Sequence, residues 1–134
     1  MLAVWREWGI DELLHNAYYE GKIMSGVSAG AICWFEKGVT DSWDDELRVL
    51  DCLGIIKGNC CPHYDEEPDR IPYTNKFLTE GLIDSIHCIE GGSALHFVDE
   101  LVKHNVSFHK SKNSYNVSIK DNQILTKAYS SISI

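Results

Sequence analysis

The sequence is poor in basic residues. Twelve Lys plus Arg stand against 20 Asp plus Glu, a formal net charge of −8. A phosphate backbone or an anionic membrane surface repels a chain of that sign, which argues against nucleic-acid and membrane-surface partners. Long apolar runs are also lacking, and none reaches the ~18 residues of a membrane span. The start, Met1-Leu-Ala-Val-Trp-Arg-Glu-Trp8, has neither the basic head nor the apolar stretch of a secretory signal. Cysteines are few and irregular: Cys33, Cys52, Cys60, Cys61 and Cys88. An odd count without regular spacing is no disulfide framework and suits a reducing cytoplasm. Repeats, low-complexity segments and linkers are absent. At 134 residues, 44% apolar and 24% charged, the chain reads as one ordinary folded domain over residues 1–134.

What is present has an α/β rhythm. Ile10, Leu13, Leu14, Ala17 and Tyr18 form a helical apolar stripe, with Asp11 as N-cap and Gly21 as stop. Lys22–Val27 reads as a buried strand, and Ser28–Glu36 as a helix ending near Gly38. Helix, strand, tight turn and helix in succession suggest a parallel sheet. The acidic stretch between Val39 and Asp51, which includes Trp43, reads as a loop, and Cys52–Ile56 as a weak strand. Two prolines and a Gly-Asn pair make Gly58–Pro68 a loop. A short helix follows from Tyr73 to Glu80, stopped by Gly81. The last third is β-like: Ser85–Ile89 and Ala94–Val98 flank the turn Glu90-Gly-Gly-Ser93, and Asp121-Asn122 signals a hairpin. The tail Ser130–Ile134 is expected to fray.

Gly26-Val27-Ser28-Ala29-Gly30 matches G-x-S-x-G between an apolar run and a helix start. A strand-to-helix bend exposes the serine hydroxyl, and its strain asks for neighbours nearly free of side chains, which Gly26 and Gly30 supply. The Ala29 amide, at a helix N-terminus, can face a developing oxyanion. A serine nucleophile needs a base. His15 reads as a surface residue, His87 and His96 as sheet histidines, and His104 and His109 as parts of a polar β segment. His63 differs, because it follows Cys61-Pro62 in a loop after a strand. Asp41 and Glu90 are the candidates to orient it. Asp44, Asp45, Glu46, Asp65, Glu66, Glu67 and Asp69 read as a solvated acidic face. Cys52, Cys60, Cys61 and His63 are too loosely spaced for a metal centre, so buried inert thiols are the simpler reading.

With these residues in place, the sequence resembles the peptidase E (aspartyl dipeptidase) family of serine peptidases, and more closely its uncharacterised bacterial relatives. The anchors are Trp5–Asp11, Gly26–Phe35, Gly38–Trp43, Cys61–Asp65 and Glu90–Asp99. The resemblance implies a class I glutamine amidotransferase-like fold: a three-layer α/β sandwich with a mostly parallel sheet and a β-rich C-terminal part. It matches Ser28 to the nucleophile, His63 to the base and Asp41 or Glu90 to the third member. It implies acyl transfer on a short peptide, with no cofactor, no metal, and a homodimer as the assembly to test. Two departures stand out. No arginine sits at the offset where the aspartyl enzymes hold an N-terminal Asp, Arg70 being the only basic residue near. The family domain is also longer than this chain, which therefore reads as its C-terminal portion, incomplete at the N-terminus. An inactive remnant or a partner-dependent, amidotransferase-like module is the alternative, although glutaminase chemistry in that fold favours a thiolate.

Overall fold

Residues that alternate between two apolar surroundings build the centre of this molecule. The computed structural model describes residues 1–42 and 45–133, so Trp43, Asp44 and Ile134 lie outside it. Strands β1 (Phe35–Thr40), β2 (Arg48–Asp51), β3 (Ile56–Cys61), β4 (Ser85–Ile89), β7 (Ser114–Lys120) and β8 (Gln123–Ala128) form one sheet in the order β2-β1-β3-β4-β7-β8. Strands β5 (Ser93–Val98), β6 (Leu101–Ser107) and β9 (Ser131–Ser133) form a second. The protein is therefore α/β, but its sheets are mixed. In the larger one β1–β3 and β3–β4 are parallel, while β1–β2, β4–β7 and β7–β8 are antiparallel. The expectation of a mostly parallel sheet is corrected by the hairpins at both flanks, whose short connections cannot join parallel strands.

The core has two parts, on the two faces of β3. Cys60 packs with Leu2, Ile32, Cys33, Phe35 and Cys52. Its neighbour Cys61 packs with Val39, Phe77, Leu78, Ile86 and Val117 on the other side. Period-two geometry requires this of adjacent strand residues. Helix α4 (Arg70–Thr79) covers the Cys61 side through Phe77 and Leu78. Pro72 is tolerated there because it lies in the first helical turn, where amides have no intrahelical acceptor.

Several sequence expectations shift. The stretch Gly58–Cys61 is not a loop but half of a buried central strand, ended by Pro62. The strand expected from Cys52 starts at Ile56, and part of the expected Val39–Asp51 loop is β1 and β2. The helix after Ser28 is a single turn, α3 (Ala29–Ile32), because Phe35 onward pairs with β3. Helix α2 (Ile10–Tyr19) is capped by Gly9 at φ 66°, not by Asp11, and is preceded by α1 (Leu2–Glu7). The tail does not fray at Ser131–Ser133, which pairs in parallel with β6. Lys22–Val27 is the largest departure. It has no strand partner among the described residues, and Ile23 is 95% and Val27 82% exposed.

Candidate active site

Gly26 is a glycine for a steric reason. A Cβ there would lie 1.9 Å from the Gly30 carbonyl oxygen, so the chain can fold back only if position 26 has no side chain. Gly30 is different, since a Cβ there would meet nothing within 4 Å. The bend leaves Ser28 at φ 55° and ψ −122°, a region that costs a non-glycine residue roughly 1–3 kcal/mol. Strain of that size persists only where the surroundings hold it. The turn closes through Gly30 N–H to the Val27 carbonyl and Ala31 N–H to the Ser28 carbonyl. Ala29 opens α3, is exposed, and offers an amide that has no acceptor inside the helix.

His63 arrives from the other side of the site. It follows β3 and Pro62, also has a positive φ of 55°, and is tied to Glu66 and Glu67 by amides that donate to its carbonyl. Its Nε2 lies 3.0 Å from Ser28 Oγ. Its Nδ1 lies 2.7 Å from Glu66 Oε2. A carboxylate only accepts, so Nδ1 carries the proton, and Nε2 of the neutral ring is left to accept from the serine hydroxyl. The three groups thus form a chain in the order that nucleophilic catalysis uses.

The carboxylate in this chain is not one of the two expected. Asp41 is 57% exposed and lies 4.0 Å from the Arg70 guanidinium, whereas the imidazole nitrogens contact Glu66 and Ser28. Glu90 sits beside the site, but its carboxylate accepts from the Asn113 amide and the Tyr115 hydroxyl, at 2.8 and 3.3 Å. Burial, and then the charge of Glu90, push the Tyr115 hydroxyl pKa up. Glu66, read as part of a solvated face, is the residue that touches His63. The signal was its spacing: three residues after the histidine, in a turn bracketed by Pro62 and Pro68, the two side chains can meet. The Glu90-Gly-Gly turn seats this carboxylate, for a Cβ on Gly91 would lie 2.2 Å from Glu66 Oε1. Asp65 anchors the same turn by accepting from the Gly91 amide at 2.8 Å and pairing with Lys112. Burial alone would raise the Asp65 carboxyl, but Lys112 and the amides outweigh it and hold its pKa below the ordinary value.

The other candidates have structural surroundings. His15 donates to the Leu53 carbonyl at 3.0 Å. His87 packs among Phe35, Phe97 and Tyr129 and bonds the Tyr129 hydroxyl through Nδ1 at 2.6 Å. His109 rests against Gly92. His96 and His104 stack on each other. The five cysteines are free and buried. Burial pushes the thiols up, Cys33 to about 11, Cys52 to about 12 and Cys61 to about 11. They stay protonated, and so are poor nucleophiles and poor metal ligands near neutral pH. Arg70 is buried, with Nε and Nη2 on Glu67 and Nη1 on the Val39 carbonyl.

Ser28 and His63 open onto a groove of about 1110 Å³, walled by Trp34, Phe35, Ile56, Leu95, Phe97 and Phe108 among others. An apolar cleft around a few convergent polar groups is the usual form of a small-ligand site. No helix of the described residues is long and apolar enough to cross a membrane.

The model of peptidase family S51 matches residues 1–104. A curated relative, the uncharacterized peptidase YgaJ of Bacillus subtilis (strain 168), is 40% identical over 124 residues. The match covers 92% of this chain and 54% of the relative, so the chain spans about half of that protein's length.

Proposed function

The chain belongs to peptidase family S51, a peptidase E-like family of hydrolases, and from that premise we propose that it cleaves short peptides through an acyl-enzyme on Ser28. The observation that supports this is the 3.0 Å contact between Ser28 Oγ and His63 Nε2, made by a serine held at φ 55°. As Oγ attacks the scissile carbonyl, His63 Nε2 takes its proton. Negative charge then grows on the carbonyl oxygen, where the Ala29 amide can donate. The imidazolium passes its proton to the leaving amine, and the same ring next activates the water that frees the acid. Glu66 accepts from Nδ1 throughout, fixes the ring and stabilises its charged form. It thereby takes the orienting part for which Asp41 and Glu90 were candidates. No preference for an acidic N-terminal residue is expected, because Arg70 is buried and its guanidinium is engaged with Glu67 and the Val39 carbonyl. The amidotransferase-like three-layer sandwich, as the arrangement of the complete family domain, belongs to the same proposal. So does a cytoplasmic setting, which the five free thiols support.

A second reading has one observation in its favour. The segment before the nucleophile has no strand partner among the described residues, as in a module that binds without turning over until a partner covers it. A fluorophosphonate probe separates the two. Covalent labelling at Ser28, lost in Ser28→Ala together with hydrolysis of a dipeptide panel, is the outcome expected of the peptidase. Stoichiometric peptide binding with no label favours the module.

A further inference from the structure

The hairpin of β5 and β6 holds two imidazoles that the proposed reaction does not use. His96 and His104 are directly opposed in its antiparallel register. Their rings face each other, with centroids 5.5 Å apart and an interplanar angle of 24°. Among the described residues neither ring has a hydrogen-bond partner, in contrast to His15, His63 and His87. His96 is exposed and His104 half-buried, so the pair is open to solvent. The register shifts beside His96, leaving Lys103 without a residue opposite it. A bulge of this kind adds local twist and re-aims the side chains next to it.

Opposed residues of an antiparallel pair have Cβ atoms about 4.5–5.5 Å apart. Two imidazoles on that base can both reach one ion at a metal–nitrogen distance of about 2.0–2.1 Å once side-chain rotation turns an in-plane nitrogen of each ring toward it. Imidazole selects copper, nickel and zinc over magnesium and calcium, which prefer oxygen. The electrostatics also favour a cation. The hairpin tip is Asp99-Glu100, and Lys103 is the one opposing charge on these two strands. We propose that His96 and His104 form a two-imidazole site for a divalent transition-metal ion of the copper, nickel and zinc class, with water completing the coordination. His96 also lines the groove shared by Ser28 and His63, so a bound ion would clip β5 to β6 in the wall of that groove.

Titration of the full chain with Ni²⁺ alone, followed by calorimetry and by the histidine ring signals in proton–nitrogen spectra, tests this. One saturable ion per chain is expected, with paramagnetic broadening centred on the His96 and His104 rings. His96→Gln and His104→Gln should each lower the affinity at least about tenfold, since each removes one of two ligands, while His109→Gln should leave it unchanged. Equal affinity in all three variants, or broadening centred on His63, would overturn the proposal. The spectra of the unaltered chain decide the matter even if a variant folds poorly.

Discussion

The two halves of the candidate site rest on very different supports. The proposed base, His63, comes off β3, a central strand whose last residues, Cys60 and Cys61, are both 0% exposed. Its carboxylate is seated on Gly91, in a turn pinned by Asp65 and Glu90. The proposed nucleophile, Ser28, comes off residues 23–27, which join no ladder. The helix before them, α2, has no buried residue, and Leu13 on its apolar stripe is 65% exposed. Apart from Leu2 of α1, which is buried in the core around Cys60, polar ties hold this arm to the body: Arg6 donates to the Asp51 and Cys52 carbonyls, and His15 to that of Leu53. Few buried apolar contacts mean a low cost of local opening. The difference shows that a serine in strained backbone geometry can be fixed by its own tight turn while the segment leading to it stays poorly packed.

The largest expected effect removes the base's support while leaving its strand intact. Glu66→Gln keeps the shape of the side chain but presents an amide to His63 Nδ1, which then has no fixed tautomer. Loss of the orienting carboxylate in a serine triad costs up to about 10⁴ in kcat. Because Glu66 is 51% exposed and water can stand in for it in part, a loss of about 10³ in kcat is expected, with KM little changed. Asp41→Asn should stay close to the unaltered chain. If steady-state kinetics ranked the two variants the other way, the contact with Glu66 would be incidental and the contrast between the arms would lose its firmer side.

The same contrast explains what was legible in the sequence. Local chemistry was legible where local rules decide the structure. Asp121 and Asn122 both adopt positive φ, 50° and 60°, and close the β7–β8 hairpin as their residue types suggested. The serine bend was legible because only glycine fits at position 26. What long-range packing decides was hidden. Gly58-Asn-Cys-Cys61 has turn-like composition, and becomes a strand only because β1 and β4 flank it and both cysteines find a core. Lys22–Val27 is the converse case: it has the composition of a strand but no neighbouring strand, and pairing rather than composition makes a strand. Glu66 was hidden among equivalent acids, because which of them meets His63 depends on how one turn closes.

Acid should weaken the firm arm first. Burial depresses His87, on β4 beside β3, from 6.5 to about 4. Above about pH 6.5 the ring is neutral in both folded and unfolded chains and contributes nothing to the pH dependence. Between that pH and 4 the unfolded chain takes up a proton that the folded one refuses, so stability falls; below 4 the loss levels off. The full drop corresponds to at most about 3 kcal/mol. Urea midpoints measured at pH 7.5, 5.5 and 4.5 should follow this course, and His87→Phe, which keeps an aromatic ring among Phe35, Phe97 and Tyr129, should flatten it. An unchanged slope in that variant would assign the acid sensitivity to other groups. Asp65 is not a competitor in this window, since its depressed carboxyl costs stability only at lower pH.

The smallest effect tests the weaker arm, and it turns on two glycines that look equivalent in G-x-S-x-G. A methyl group at position 26 would collide with the Gly30 carbonyl, which belongs to the backbone and cannot rotate away; one at position 30 would meet open space. Gly26→Ala must therefore open the bend and carry Ser28 Oγ away from His63, and a misplacement of about 1 Å costs about 10² in rate. Gly30→Ala should leave kcat/KM within a few-fold. Since the preceding segment is already unpaired, neither substitution should move the unfolding midpoint much, so the loss in Gly26→Ala should appear as lower activity and slower fluorophosphonate labelling at unchanged stability. Equal losses in both variants would mean that the turn depends on glycine flexibility at both positions. A large fall in stability in Gly26→Ala would mean that the nucleophile's arm is packed as firmly as the strand that delivers the base.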